Sequence, residues 1–133
     1  MTQSVVNILV VNSKGGCGKT TVATNLAAAY ANGGKSVALF DCDRQASAQQ
    51  WTGARGLDLP SIDLYHRPEP AKIDPGTMVG YNACIFDSGP GISTQPTLRT
   101  EFEALLKLSD VIVVPMLSSA WDLQAGENFI TQL

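Results

Sequence analysis

The stretch Ser13-Lys14-Gly15-Gly16-Cys17-Gly18-Lys19-Thr20, set between an apolar run and a helical pattern, leaves this chain few folds to choose from. Val5 to Val11 ahead of it is apolar and largely β-branched, the character of a parallel strand covered on both faces. Behind it, Val22, Leu26, Ala29 and Tyr30 recur at helical spacing from Lys19 onward, and Asn32-Gly33-Gly34 supplies the stop. Glycines in such a strand–loop–helix unit let the backbone turn tightly with its amides facing inward. The helix N-terminus adds partial positive charge, so the loop suits a phosphate chain. Lys19 is placed to neutralise the β and γ oxygens of ATP, and the Thr20 hydroxyl to coordinate Mg²⁺. The stretch fits the P-loop pattern except at its first position, where Ser13 replaces glycine.

The same alternation continues down the chain. Ser36 to Phe40 reads as a second buried strand ending on Asp41-Cys42-Asp43, followed by a short helix over Ala46 to Thr52. Gly53 to Gly80, with Pro60, Pro68, Pro70 and Pro75, is the least regular region; a short strand fits Ile62 to Tyr65, and little function is assigned there. Tyr81 to Phe86 is a third main strand ending on Asp87, and a Gly/Pro loop leads to a helix from Pro96 to Leu108. Asp110 to Pro115 is a fourth, and Trp121 to Leu133 begins another helix. This order implies an α/β fold: a three-layer P-loop NTPase architecture with a mainly parallel central sheet, as one domain over 1–133. The chain breaks off inside an amphipathic helix without a cap, which suggests the N-terminal portion of a longer domain truncated at its C-terminus.

Composition excludes several function classes. No stretch reaches the roughly 18 apolar residues of a membrane helix, and no basic, cleavable leader precedes the first strand, so the cytoplasm is the expected compartment. Cys17, Cys42 and Cys84 stand singly, unlike a zinc site or disulfide framework, and read as reduced thiols. A net charge of −3 gives this stretch no attraction of its own for DNA or an anionic membrane. His66 and Arg99 read as surface residues, and Trp51 as a buried aromatic.

Lys14, a second lysine at the start of the loop, exceeds what a plain P-loop needs. With it, Lys14 to Thr21 reads KGGCGKTT and resembles the signature of the ParA/MinD family of deviant Walker ATPases, nearest to ParA-like partition ATPases. That resemblance implies ATP-dependent homodimerisation, with Lys14 reaching the partner's phosphates in trans, as an arginine finger does elsewhere. It implies nucleotide contacts from Lys14, Gly15, Gly16, Cys17, Gly18, Lys19, Thr20 and Thr21. Asp41-Cys42-Asp43-Arg44-Gln45 looks like the family's switch I, with Arg44 where proline is usual. By position, Asp41 would help hold the Mg²⁺ water shell and Asp43 would orient or deprotonate the attacking water. Asp87 matches the Walker B acid, another Mg²⁺ residue. Ser88-Gly89-Pro90-Gly91 resembles switch II, where Gly89 departs from the usual form and its amide is a candidate γ-phosphate contact. Val114-Pro115-Met116 and Asp122-Leu123 resemble a region involved in the dimer interface.

The leading expectation is therefore a ParA-like ATPase of plasmid or chromosome partition. It would dimerise on ATP, bind non-specific DNA through parts beyond Leu133 and associate with the nucleoid. A ParB-like partner would stimulate its slow hydrolysis, and no membrane is involved. The alternatives are a MinD-like membrane-positioning ATPase, and a nucleotide-dependent scaffold in which Arg44 and Gly89 mark lost turnover. An iron–sulfur reductase is disfavoured, because no cysteine pair is placed to bridge a cluster.

Overall fold

The computed structural model describes residues 5–12, 18–116, 120–131 and 133. Its elements run β1 (Val6–Val10), α1 (Lys19–Asn32), β2 (Val37–Asp41), α2 (Ser47–Ala54), β3 (Asp63–His66), β4 (Ala83–Asp87), α3 (Arg99–Leu108), β5 (Val111–Val113) and α4 (Ala120–Thr131), with short 3₁₀ turns at Pro70–Lys72, Pro75–Met78 and Pro96–Leu98. The five strands form one sheet in the order β3-β2-β4-β1-β5, and every pairing is parallel. Parallel pairing requires crossovers, which α1, α2 and α3 supply after β1, β2 and β4, while the β3-to-β4 connection carries two 3₁₀ turns.

Strand periodicity splits the core into two layers. Val37 and Leu39 of β2, with Ile8, Val10, Ala83 and Ile85, face α1 and α2. Ala38 and Phe40, with Leu9, Cys84 and Phe86, face α3 and α4. The helix α1 presents Ala23, Ala27 and Ala31 to the sheet at a four-residue repeat, all fully or nearly fully buried. Small side chains at that spacing let the helix axis lie close to the strands. On the other face Phe40 stacks between Phe86, at 4.8 Å between ring centroids, and Tyr65, at 5.0 Å, which ties β3 to the centre of the sheet.

The expected strand–helix order is present, with one shift that matters. Strands read as ending on Phe40 and Phe86 run one residue further and take in Asp41 and Asp87, both fully buried. The short strand expected at Ile62 to Tyr65 is β3, shifted one residue on to Asp63–His66 and paired with β2 from Ala38↔Asp63 to Asp41↔His66. Arg99 is exposed as expected and pairs with Glu103 one helical turn on, at 3.1 Å. Trp51 is half-buried against the α1 layer, with the Arg55 guanidinium over its ring.

Candidate functional site

Four strands end side by side, and the site is built from the loops that leave them. Register places His66, Asp41 and Asp87 in one row across β3, β2 and β4, with Val10 of β1 beside Asp87. Beyond the strands the ladder continues: Arg67 N–H donates to the Asp41 carbonyl at 2.8 Å, Cys42 N–H to Asp87 at 3.0 Å and Ser88 N–H to Val10 at 3.2 Å. Each loop therefore departs from a fixed start. C-terminal strand ends of this kind are where open parallel sheets bind ligands.

Gly18 precedes α1 with φ +84°, a left-handed conformation that costs an L side chain roughly 1–2 kcal/mol and glycine nothing. It lets the chain enter the helix at once, so Lys19 and Thr20 occupy the first turn, whose amides have no partner within the helix. The Thr20 hydroxyl donates to Asp87 Oδ2 at 2.8 Å. Thr20 and Asp87, 67 residues apart in sequence, are thereby joined as the two ends of one site. The other carboxylate oxygen, Asp87 Oδ1, is buried without a hydrogen-bond partner. Burial raises the Asp87 carboxyl, the Thr20 hydrogen bond lowers it and nearby Asp41 raises it again, leaving it at about 6. A buried acid with one orphaned oxygen is a group suited to a cation. Among the described residues no three His, Cys, Asp or Glu side chains converge to hold a metal unaided. Mg²⁺ takes one or two carboxylates and fills its shell with water and phosphate oxygens. Thr20, Asp41 and Asp87 fit such an ion.

Asp43 is held from several directions. Its amide donates to Asp41 Oδ1 at 3.0 Å and its own Oδ1 accepts from Gln45 N–H at 2.9 Å. Its carbonyl accepts from Ala46 N–H at 3.0 Å and faces the His66 Nε2 at 2.9 Å. The turn from Asp43 to Ala46 is thus closed by an Asx-type bond and an i→i+3 bond, although Arg44 does not fix φ as a proline would. Ala46 takes φ +57° to start α2.

Switch II lies directly against this turn. A side chain at Gly89 would bring its Cβ to 3.2 Å from the Cys42 carbonyl, tighter than ordinary packing, so the departure at Gly89 has a steric reason: the two loops touch. Gly18, Lys19, Thr20, Thr21, Asp43, Gln45, Ser88 and Pro90 line a pocket of about 350 Å³. A larger cavity of about 660 Å³ adjoins it, sharing Asp43, Gln45 and Pro90 and also lined by Arg44, Glu69 and Glu101. Lys19 and Thr20 line the smaller one, and Asp43 lines both.

The structure thus brings together Lys19, Thr20, Asp43 and the neighbouring acids Asp41 and Asp87. Lys14, Gly15, Gly16 and Cys17 lie outside the described residues, as does the side chain of Asp122. Cys42 and Cys84 are free and buried, and burial pushes both thiols up, Cys84 to about 11. Val114 packs on the α3 layer, and the Asn12 amide donates to the Pro115 carbonyl, tying the end of β1 to the segment after β5. Two residues to which the sequence assigns no role belong to this region: His66 is half-buried against Asp43, and Arg67 bonds the end of β2. Their signal is the β2–β3 register, which a local reading of a proline-rich stretch does not contain.

Comparison with known proteins agrees with this geometry. The model of the CobQ/CobB/MinD/ParA nucleotide binding domain matches residues 8–130. Maintenance of carboxysome distribution protein A of Gloeobacter kilaueensis is 34% identical over 117 residues, covering 87% of this chain and 51% of that protein. The sporulation initiation inhibitor protein Soj of Bacillus subtilis is 31% identical, covering 80% of this chain and 47% of that protein. The chain therefore spans about half the length of these relatives. A plasmid partition protein from Borrelia burgdorferi bound to AMPPNP superposes with a TM-score of 0.73 at 19% identity, over 96% of this chain and 69% of that one. For pNOB8 ParA bound to nonspecific DNA the TM-score is 0.72 at 17% identity, over 95% and 58%. These two share the fold. With a parallel sheet whose acid-tipped strands meet a Lys-Thr helix start, and a family model covering nearly all of it, the chain belongs to the MinD/ParA family of nucleotide-binding ATPase domains.

Proposed function

We propose that the protein binds and hydrolyses Mg-ATP, dimerises in the ATP state and uses that dimer to hold cargo on non-specific DNA, as in plasmid or chromosome partition. The observation that carries the ATP reading is the Thr20–Asp87 hydrogen bond beside a buried, unpartnered carboxylate oxygen. Lys19, with the loop amides before it, neutralises the β and γ phosphates. Thr20, Asp41 and Asp87 would hold Mg²⁺, which when bound offsets charge on the phosphate oxygens. Asp43 orients the attacking water, and the contact between its turn and Gly89 passes the presence of the γ-phosphate from switch II to switch I. Lys14 acts across the dimer.

The DNA part is supported by relatives: one neighbour is a ParA bound to nonspecific DNA, a Soj of Thermus thermophilus, 51% identical over 51 residues, is named a chromosome-partitioning ATPase, and the Gloeobacter relative is named for carboxysome distribution. A ParB-like or cargo-borne partner that stimulates turnover, and nucleoid association of the ATP state, belong to the same proposal. Among the described residues no helix is long and apolar enough to cross a membrane.

The test is retention of the full-length protein on random-sequence duplex DNA at two salt concentrations. ATP is expected to strengthen retention at least tenfold over ADP, with the gain lost as salt rises. Equal retention with ATP, ADP and no nucleotide removes the DNA proposal, and ATP-dependent capture on anionic vesicles instead would favour a membrane-positioning role.

A further inference from the structure

The geometry points to His66 as a positioning residue for switch I: its imidazole anchors the backbone of Asp43 and so fixes where the Asp43 carboxylate stands. This rests on the reading that Asp43 orients the attacking water. The Nε2 atom lies 2.9 Å from the Asp43 carbonyl, and since a carbonyl only accepts, the ring donates from Nε2. The imidazole is itself well placed. His66 is in register with Asp41, and Arg67 N–H bonds the Asp41 carbonyl at 2.8 Å. The Arg67 side chain reaches back to the His66 carbonyl at 2.9 Å and lies over the Tyr65 ring, which also stacks on Phe40 of β2. The end of β3 is thus fastened to β2 by backbone, ring stacking and a guanidinium. From this fastened strand end the imidazole reaches the switch.

Asp43 needs such an anchor. The Asp43–Ala46 turn lacks a proline that would fix φ, and Arg44 and Gln45 stand at its crest. Without His66, the Asp43 carbonyl keeps the Ala46 amide, a bond within the same turn that moves with it. The Asp43 amide also bonds the Asp41 carboxylate at the end of β2, two residues back, and His66 adds a second tie to the sheet, from the neighbouring strand β3. Positional scatter at a water-orienting carboxylate lowers turnover while leaving phosphate contacts made from α1 intact.

In the full-length protein, His66→Ala is expected to lower kcat about tenfold, with KM for ATP within about twofold of wild type. His66→Gln, whose amide can donate to the same carbonyl, is expected to restore most of the rate. Unchanged kcat in His66→Ala, or equal losses in both variants accompanied by a raised KM and a lowered Tm, would overturn the assignment. Asp43→Ala, run alongside, reports on the underlying reading. If it turns over ATP like wild type, Asp43 has no hydrolytic role, and the anchor is judged by NMR alone. The His66 imidazole signals, assigned by their loss in His66→Gln, should show the Nε2–H form with slow exchange. A fast-exchanging or Nδ1–H ring would then reject it.

Discussion

Replacing Asp43 by alanine is expected to reduce ATP turnover by about 10²- to 10⁴-fold while leaving the affinity for Mg-ATP within about threefold of wild type. The asymmetry comes from placement. Asp43 lines the pocket from a turn tied to Asp41 and His66, whereas the proposed phosphate contacts come from the start of α1, which lines the same pocket. A carboxylate there can act on a water beyond the γ-phosphate without contributing to the cradle. Steady-state kinetics together with a nucleotide-binding titration separate the two. Loss of binding in parallel with turnover would mean that Asp43 serves the nucleotide rather than the water.

Asp87→Asn is expected to do two things that pull in opposite directions. In metal-free buffer it should stabilise the protein, because Asp87 is buried and its carboxyl is raised from 3.8 to about 6. A raised carboxyl costs the folded state stability once ionised. The penalty is absent below about pH 4, grows as pH rises through the folded value near 6, and is constant above, on the order of 2–3 kcal/mol. The amide keeps an oxygen for the Thr20 hydroxyl but leaves an unpartnered donor in place of Oδ1, which returns part of that gain. A net stabilisation of about 1–2 kcal/mol at about pH 7.5, shrinking as pH is lowered toward 4, should appear in urea unfolding. Mg²⁺ should in turn lose most of its effect on ATP affinity. A variant less stable than wild type at neutral pH, with Mg²⁺ dependence intact, would show that Asp87 is a structural acid.

Such a trade between stability and function marks the part of the site that is most legible in the sequence. Acids at the ends of apolar β-branched runs are conspicuous, and Asp41, Asp43 and Asp87 stand out without any knowledge of pairing. The loop before Lys19 is equally plain, since glycines and a lysine between strand and helix have one strong physical use. A charged residue breaks an apolar pattern, so the sequence places two strand ends one residue short, yet Asp41 and Asp87 stay in the ladder and are buried by their neighbours. The illegible part is non-local. A short strand is legible at Ile62 to Tyr65, but nothing local in that proline-rich stretch says which strand it joins or what its last residue meets. Its value comes from lying beside β2, which sets His66 against a carbonyl 23 residues away. The departures at Arg44 and Gly89 likewise read, in sequence, as weakened switches. Hydrogen bonds from the Gln45 and Ala46 amides to Asp43 close the turn without proline, and the lack of a side chain at Gly89 is what lets switch II approach Cys42.

The central claim is that this fold grips a magnesium-bound triphosphate at the start of α1. Calorimetric titration of ATP and ADP into folded, full-length protein, with Mg²⁺ and with EDTA, tests it most directly. Saturable binding of both nucleotides is predicted, strengthened by Mg²⁺ and weakened at least about tenfold by Lys19→Ala, which removes the charge-assisted contact. Folded wild-type protein that takes up neither nucleotide in the presence of Mg²⁺ would contradict it.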